Sequence, residues 1–453
     1  MLTRVKLENF KAWREADLTF GKVTGLFGAN SAGKSSLFHL LLLLKQTKNA
    51  TDRNVVLDFG GRTELVNLGT FADVVHRNDE AKVIRWLLEW KLPKTLTIRD
   101  PLRRPSTPLF EGDTLQTRYE VGFERARLLP GELGYRFDDV DFLLQPRASS
   151  KQDFNLMADT PTFSFIRNPG RAWPLPGPVK THLFPSQAKS YYQNTAFLGD
   201  FELAYENLMD SIYYLGPLRE YPQREYHWAG SRPADVGQRG ERTVDALLAA
   251  TLKGKQWSLG YKMWKKTFQE MIAHWLRHLG LIREFYLEEI AKGTNLYRVM
   301  AKTSPWSVPT PLTDVGFGVS QVLPVLVLLY YVPEGSTVLM EQPEIHLHPA
   351  VQSGLADVML NVAKVRNVQI VVESHSEHLM RRLQRRVAEG TASSEDVKLY
   401  FVSTHRGDAR VSDLLLNEWG EIENWPDKFF GDEMGEIAAI SKAALTRKIE
   451  ETE

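Results

Sequence analysis

The stretch "GANSAGKSS", Gly28 to Ser36, fits the pattern G-x-x-x-x-G-K-[ST], with Gly28, Gly33, Lys34 and Ser35 at the fixed places. "GKVTGLFG" before it reads as a strand and "GKSSLFHLLLLLKQ" after it as a helix. Such a loop curls so that successive backbone N–H groups point inward, and the following helix adds its positive N-terminal end. That cradle suits a phosphate chain. Lys34 would reach the β and γ oxygens, and the Ser35 hydroxyl would take a coordination site on magnesium. Asn30 and Ser36 complete the expected nucleotide-binding set. A chance glycine-rich turn is the competing reading, and the strand and helix on either side argue against it. The loop speaks for nucleotide binding and leaves the use of the energy open.

Composition bounds the rest. With 453 residues the chain has room for about two to three domains and a large core. Lys plus Arg and Asp plus Glu number 56 each, so no global charge draws it to nucleic acid or to a membrane surface. There is no cysteine, which removes disulfides, thiolate-bound zinc and thiol nucleophiles and fits a reducing cytoplasm. "MLTRVKLENF" has no signal-peptide apolar stretch. The run Leu40 to Leu44 meets Lys45 directly, far short of the ~20 residues of a membrane span. The expectation is a cytoplasmic protein with no membrane partner.

From about Ala81 the pattern changes. "VIRWLLEWKL", "LQTRYEVGFER", "LGYRFDDVDFLL" and "TFSFIRN" are rich in β-branched and aromatic residues and are separated by turn residues, as in an antiparallel β subdomain. "NPGRAWPLPGPVK" reads as a proline-punctuated loop. "NTAFLGDFELAYENLMDSIYYLGPLRE" reads as a helix running into a strand, and "ERTVDALLAATL" as an amphipathic helix. "YKMWKKTFQEMIAHWLRHLG" reads as another, with Trp264, Phe268, Met271, Trp275 and Leu279 at helical spacing, a core stripe or else a docking face. Further on, "GVSQVLPVLVLLYYV" reads as a helix, "STVLMEQ" and "VQIVVESHS" as buried parallel strands, and "EHLMRRLQRRVAEG" as a helix.

Three pieces near the C-terminal end bear on the same site. "DVGFGVSQVLPVL" opens a helix with a glycine-rich turn carrying Ser320 and Gln321. "VLMEQPEIHLHP" is an apolar run ending in Glu341, Gln342 and Glu344. "VQIVVESHS" delivers His375 at a strand end. Together with the phosphate loop these residues resemble the ABC-type AAA ATPases of the SMC, RecF and OLD group. They are most similar to bacterial stand-alone members with the pattern EQPEIHLHP, a "YLGPLRE" segment (Tyr214 to Glu220) and an "NWPDKFFGDE"-like tail (Asn424 to Glu433).

The resemblance implies an α/β fold: an ABC ATPase head, a P-loop mixed sheet flanked by helices, with an inserted antiparallel β subdomain and a helical subdomain. The corresponding bounds are 1–80 for the N-terminal lobe of the head, 81–180 for the β subdomain, 181–310 for the helical one and 311–453 for the C-terminal lobe. It also implies ATP and Mg2+ as cofactors, "GFGVSQ" as the signature, and Glu341, with Ser35, on the magnesium side. Gln342 then falls on the general-base position, "IHLHP" is the D-loop and His375 the switch histidine. The phosphate loop of one subunit would face the signature of another, through Gly318, Ser320 and Gln321, in a homodimer or higher homo-oligomer. Gly318 stands at the position of the family's serine and Ser320 two residues on, so either one is the phosphate contact.

Glutamine orients a water but cannot take its proton, and a positioned base is worth ~10²–10⁴-fold. Glu344 and His375 are the alternative bases, and the order of expectation is slow hydrolysis, then rescue by Glu344, then complete loss. His346, His348, Glu344 and His375 also read as a possible metal cluster, which the D-loop reading makes unnecessary. "RRLQRR" (Arg381 to Arg386) and "PLRRP" near Arg103 are solvated faces or phosphate-backbone contacts. Arg219 of "PLRE" would project a guanidinium near the nucleotide or an interface.

The expected role is an ATP-gated switch acting on a separate effector protein, a nuclease or toxin, in bacterial anti-phage defence. The alternatives are a RecF-like DNA repair ATPase whose closed dimer clamps DNA, and a non-hydrolysing ATP-bound scaffold.

Overall fold

The computed structural model describes residues 1–61, 64–99, 108–148, 150–170, 173–254, 256–258, 260 and 264–426. Strands β1 (Leu2–Phe10) and β2 (Trp13–Thr19) form a hairpin; β3 (Val23–Gly28) enters the phosphate loop and α1 (Lys34–Asn49) leaves it. After a single turn, α2 (Phe71–Val74), five antiparallel strands follow: β4 (Ile84–Arg99), β5 (Pro108–Glu124), β6 (Arg127–Phe137), β7 (Val140–Arg147) and β8 (Ser150–Ala158). The turn from β6 to β7 is Asp138–Asp139, both left-handed at φ 50 and 59, as a tight two-residue hairpin requires.

Helices α3 (Ser186–Tyr191) and α4 (Leu198–Asp210) lead into the short strand β9 (Ile212–Leu215). The stretch expected to be helical holds strands as well as helices: β10 (Tyr226–His227), then helices α5 (Thr243–Leu252) and α6 (Phe268–His278), then strands β11 (Glu284–Glu289), β12 (Leu296–Lys302) and β13 (Thr310–Pro311). Strands β10, β12 and β11 pair in that order, with β13 on β12. The chain then runs α7 (Phe317–Tyr331), β14 (Thr337–Glu341), α8 (Pro349–Arg366), β15 (Gln369–Glu373), α9 (Glu377–Ala388), β16 (Val397–His405) and β17 (Asp408–Leu414).

The fold is mixed α/β around one 13-stranded sheet, in the order β8-β7-β6-β5-β4-β1-β2-β17-β16-β3-β15-β14-β9. Strands β16, β3, β15, β14 and β9 are parallel, and the wing from β1 to β8 is antiparallel. All five residues of β14 and of β15 are buried, as expected of strands covered on both faces. Their side chains alternate between two cores. Leu339 and Val371 pack with α1, α4 and the wing, whereas Val338, Met340, Ile370 and Val372 pack with α5 to α9. Leu40 to Leu44 are buried in the first core, which accounts for the leucine run. No helix among the described residues is long and apolar enough to cross a membrane.

Two expectations of secondary structure are corrected. "TFSFIRN" is not a strand and makes only an isolated bridge, Arg167 with Tyr192. The Asn194 amide accepts from Ile166 N and donates to Ser164 O, both at 2.9 Å, doing locally what a neighbouring strand would do. The alternating phenylalanines report ring burial instead: Phe163 meets Phe165 at 5.1 Å, beside the Phe142–Phe197 pair at 5.2 Å. Of the helix expected over Tyr261 to Gly280, residues 261–263 lie outside the described residues, and from Trp264 on the helix starts only at Phe268. Thr267 Oγ1 accepts from Glu270 N and Glu270 Oε2 accepts from Thr267 N, a capping box that closes the helix there. Trp264, before the cap, is 90% exposed and is no part of the buried stripe of Phe268, Met271 and Trp275.

Candidate functional site: a phosphate loop facing three buried glutamates

In open α/β sheets ligands bind outside the carboxyl ends of the parallel strands. Here β3, β15, β14 and β9 end side by side in Gly28, Glu373, Glu341 and Leu215. The loop after β3 depends on its glycines. A Cβ on Gly28 would lie 2.0 Å from the carbonyl oxygen of Val402 on β16, and Gly33 caps α1 at φ 101. Asn30 is exposed, and Ser36 sits half-buried in the first turn of α1.

Lys34 is 3% exposed. Its Nζ donates to the carbonyls of Gly28 (3.1 Å) and Ala29 (2.8 Å) and lies 3.8 Å from Glu373 Oε1. Burial lowers the Lys34 pKa, while the charges of Glu373, Glu344 and Glu341 pull it back up. Ser35 Oγ donates to Glu373 Oε2 at 2.7 Å. A cleft of ≈ 400 Å³ opens over the loop. It is lined by Ser31 to Ser36 and Glu373 on one side, and by Lys11, Ala12, Asp73, Val75, Arg77 and Asn78 on the other. Arg77 and Asn78 are left-handed at φ 59 and 55, and Arg77 Nη2 pairs with Asp408 at 2.7 Å.

Glu341 is opposite Glu373 in the β14–β15 register, so two carboxylates end adjacent strands. Burial, then the charge of Glu373, pushes Glu341 up to about 7, against the hydroxyls of Tyr214 and Ser35 and the charge of Arg219. Tyr214 donates to Glu341 Oε1 at 2.8 Å, and Arg219 Nη2 donates to the Glu341 carbonyl at 3.4 Å. Gln342 is left-handed at φ 43 and half-buried, and its N–H donates to Glu373 O at 2.8 Å. That backbone bond ties the turn after β14 to β15.

Glu344 is 6% exposed, and burial raises its pKa. Its Oε1 accepts from Ser374 Oγ (2.7 Å) and His375 N (2.8 Å). Among the described residues, Glu344 Oε2 and His375 Nε2 lie buried with no hydrogen-bond partner. Burial and the nearby Lys34 charge lower the His375 pKa, which favours the neutral imidazole.

The two residues expected to hold magnesium, Ser35 and Glu341, are therefore gathered around Glu373. Hydroxyl and carboxylate oxygens are the hard donors that this cation takes alongside nucleotide phosphates, so the set fits it. The histidine cluster does not form. His348 Nδ1 accepts from Ala350 N as the cap of α8, and the exposed His346 ring meets Phe317 at 5.2 Å. Among the described residues no three His, Asp or Glu side chains are placed to hold a metal.

The signature residues Gly318, Ser320 and Gln321 stand in the first turns of α7. Ser320 is 7% exposed with its hydroxyl donated to the Phe317 carbonyl at 2.7 Å, and Gln321 is 3% exposed. Gly318 lies in the first turn of α7, between the exposed Phe317 and the buried Val319. What α7 offers outward is thus its first-turn backbone, not the Ser320 or Gln321 side chains. The cleft lining comes from residues 11–12, 31–36, 73, 75, 77, 78 and 373, with no contribution from α7.

Glu373 is the residue that sequence reasoning missed. Its signal was an acid closing an otherwise apolar run, "QIVVE", next to the Ser-His pair. Tyr214 entered the sequence reading only as the first residue of "YLGPLRE", with no role attached. Each arginine of "RRLQRR" is ion-paired: Arg381 with Glu377 (3.1 Å), Arg382 with Asp357 (2.7 Å), Arg385 with Glu389 (2.7 Å) and Arg386 with Asp357 (2.6 Å). "PLRRP" and the tail beyond Pro426 lie outside the described residues.

Residues 293–381 match the family model described as "AAA domain, putative AbiEii toxin, Type IV TA system", and residues 393–440 match "Protein of unknown function (DUF3696)". Similar solved structures include an SMC head bound to the C-winged helix domain of ScpA, at 13% identity over 92% of this chain and 98% of that one, with a TM-score of 0.43. The SMC head domain from Thermotoga maritima is 12% identical over 91% of this chain and 99% of that one, with a TM-score of 0.42. An Smc head with an extended coiled coil, bound to the C-terminal domain of ScpA derived from Pyrococcus furiosus, is 12% identical over 91% and 96%, with a TM-score of 0.43. No curated protein matches the chain. The match to an AAA domain is thus confined to residues 293–381, the part of the chain that carries Glu341 and Glu373 on the strand edge shared with the phosphate loop.

Proposed function

We propose that the chain binds ATP with Mg2+ at this edge, hydrolyses it slowly, and works as a nucleotide-gated homodimer that controls a separate effector protein. One observation carries this proposal: Lys34, Ser35, Glu373 and Glu341 converge, while α7 contributes nothing to the cleft over the loop. A second copy then supplies what is missing, the N-terminal turn of α7 with its free N–H groups.

Lys34 exchanges its two loop carbonyls and Glu373 for phosphate oxygens. Ser35 would turn a lone pair to the cation while its hydroxyl goes on donating to Glu373. Magnesium held by Ser35 and Glu341 would supply Lewis-acid relief of the charge on the terminal phosphates. Gln342 orients the attacking water without accepting its proton, so the closed state persists. Support for a setting in bacterial anti-phage defence is the toxin named in the description of the matched model. The pairing of all four α9 arginines removes one support for the DNA-clamping alternative.

The test is nucleotide binding read together with mass in solution. Wild type with ATP and Mg2+ is expected to double its mass. Lys34→Ala is expected to lose at least about tenfold in ATP affinity and to stay at the smaller mass, since the lysine meets the β and γ oxygens. Equal affinity and equal assembly in both proteins would reject the proposal.

A further inference from the structure

Strand β9 pairs in parallel with β14, Leu215 opposite Met340, so the segment "YLGPLRE" leaves the sheet at the edge where Glu341 stands. Its backbone is then pinned: Gly216 N donates to Gln238 O at 2.8 Å and Glu220 N to Arg239 O at 2.7 Å. Between those two anchors Arg219 turns its side chain into the site.

The guanidinium of Arg219 makes one long bond, Nη2 to the Glu341 carbonyl at 3.4 Å. Among the described residues, its Nε and Nη1 are buried with no hydrogen-bond partner. Arg366 provides the contrast. There Nε is likewise without a partner among the described residues, but Nη1 and Nη2 serve the carbonyls of Leu329, Tyr330 and Val332 at the end of α7, as a structural arginine does. Buried polar groups in native proteins are nearly always satisfied, and an exception calls for an explanation. Arg219 also feels the same carboxylates as Lys34, Glu341 and Glu344, from the opposite side of the strand edge. Two cations thus flank one set of acids, and the second has donors to spare for an anion.

We propose that Arg219 contacts the terminal phosphate of the bound nucleoside triphosphate from within the same chain, making the site discriminate triphosphate from diphosphate. This rests on the nucleotide-site assignment above. A planar, permanently charged guanidinium suits phosphate oxygens better than a lysine does. Gating by the third phosphate then has a residue of its own beside the strand-end acid Glu341, independent of the second copy.

The experiment measures the affinities of the full chain for ADP and for a non-hydrolysable ATP analogue, both with Mg2+. Wild type is expected to prefer the triphosphate. Arg219→Gln is expected to weaken the analogue at least about tenfold while changing ADP less than about threefold, the asymmetry of a charge-assisted contact made only to the third phosphate. Steady-state turnover is expected to fall by about 10²-fold or more, in keeping with arginines that meet a transferring phosphoryl group. If Arg219→Gln does not fold, Arg219→Lys reads the same ratio with the charge retained, and a drop of at least about threefold supports the assignment. An unchanged ratio in the folded variant, or a parallel loss for both nucleotides, overturns it. Wild type that binds neither nucleotide overturns the nucleotide site itself.

Discussion

At residue 342 an amide stands beside two buried carboxylates, and the chemistry turns on which of them meets water. Glu344 has one oxygen committed to Ser374 and His375 and the other without a partner among the described residues, with its pKa raised by burial. A carboxylate so placed is a reserve base. Slow turnover with Gln342 as a water-orienting group is nevertheless the primary expectation. Gln342→Glu should then raise phosphate release about 10²-fold, within the usual worth of a positioned base. A rapid wild-type rate that this change leaves alone would refute the missing-base account. A fall of about 10²-fold in Glu344→Gln would assign the base to Glu344 instead. Glu373 has a different part, accepting from the Ser35 hydroxyl and facing the Lys34 ammonium. It was hard to see in the sequence because nothing in its spacing ties it to residues 338 positions away.

Among the elements, α7 is the one whose two ends matter most. Its N-terminal turn is the proposed contact with a second copy, and its C-terminal carbonyls are held by Arg366, 5% exposed and 4.4 Å from the Trp257 ring. Helix ends leave carbonyls without intrahelical partners, and here one guanidinium supplies three of them. Arg366→Ala should lower unfolding stability by about 2–3 kcal/mol, the scale of leaving buried acceptors unmet. Chemical denaturation reads this directly, and an unchanged midpoint would contradict the capping role. The start of α6 shows how a local signal competes with periodicity. Apolar spacing ran back to Trp264, whereas the Thr267–Glu270 box ends the helix at Phe268. Both signals are in the sequence, and the hydrogen-bonding one prevailed.

Across the whole molecule, the antiparallel wing is fastened to the head at His182. Its carbonyl accepts from Tyr135 OH of β6 at 2.8 Å, and its ring stacks on Tyr205 of α4 at 4.6 Å. Burial, with the charges of Lys180 and Lys48, pushes the His182 imidazole down to about 3. Glu206, 3.4 Å from Nε2, does not outweigh them. Below the ordinary histidine pKa of about 6.5 the unfolded chain takes a proton that the folded one refuses. Stability present above that pH is therefore lost as the pH falls towards the folded value. Between about pH 7 and about pH 5.5 this one group should cost about 1 kcal/mol. Comparing denaturation of wild type and His182→Gln at both pH values should show the variant to be less acid-sensitive by that amount. Equal sensitivity would remove His182 as the source.

The phosphate loop, the parallel strands and the acid-ended run after Val338 were legible because each is local: a backbone curl, an apolar period, a charge at a strand end. What only the tertiary structure decided is which strand ends lie together. The order β3-β15-β14-β9 brings Glu373 to Ser35, and Tyr214 and Arg219 to Glu341, although these partners are separated by more than a hundred residues of chain. Sequence spacing records contacts along a helix or strand. Pairing between strands is set by the packing of both sheet faces, and no local pattern encodes it.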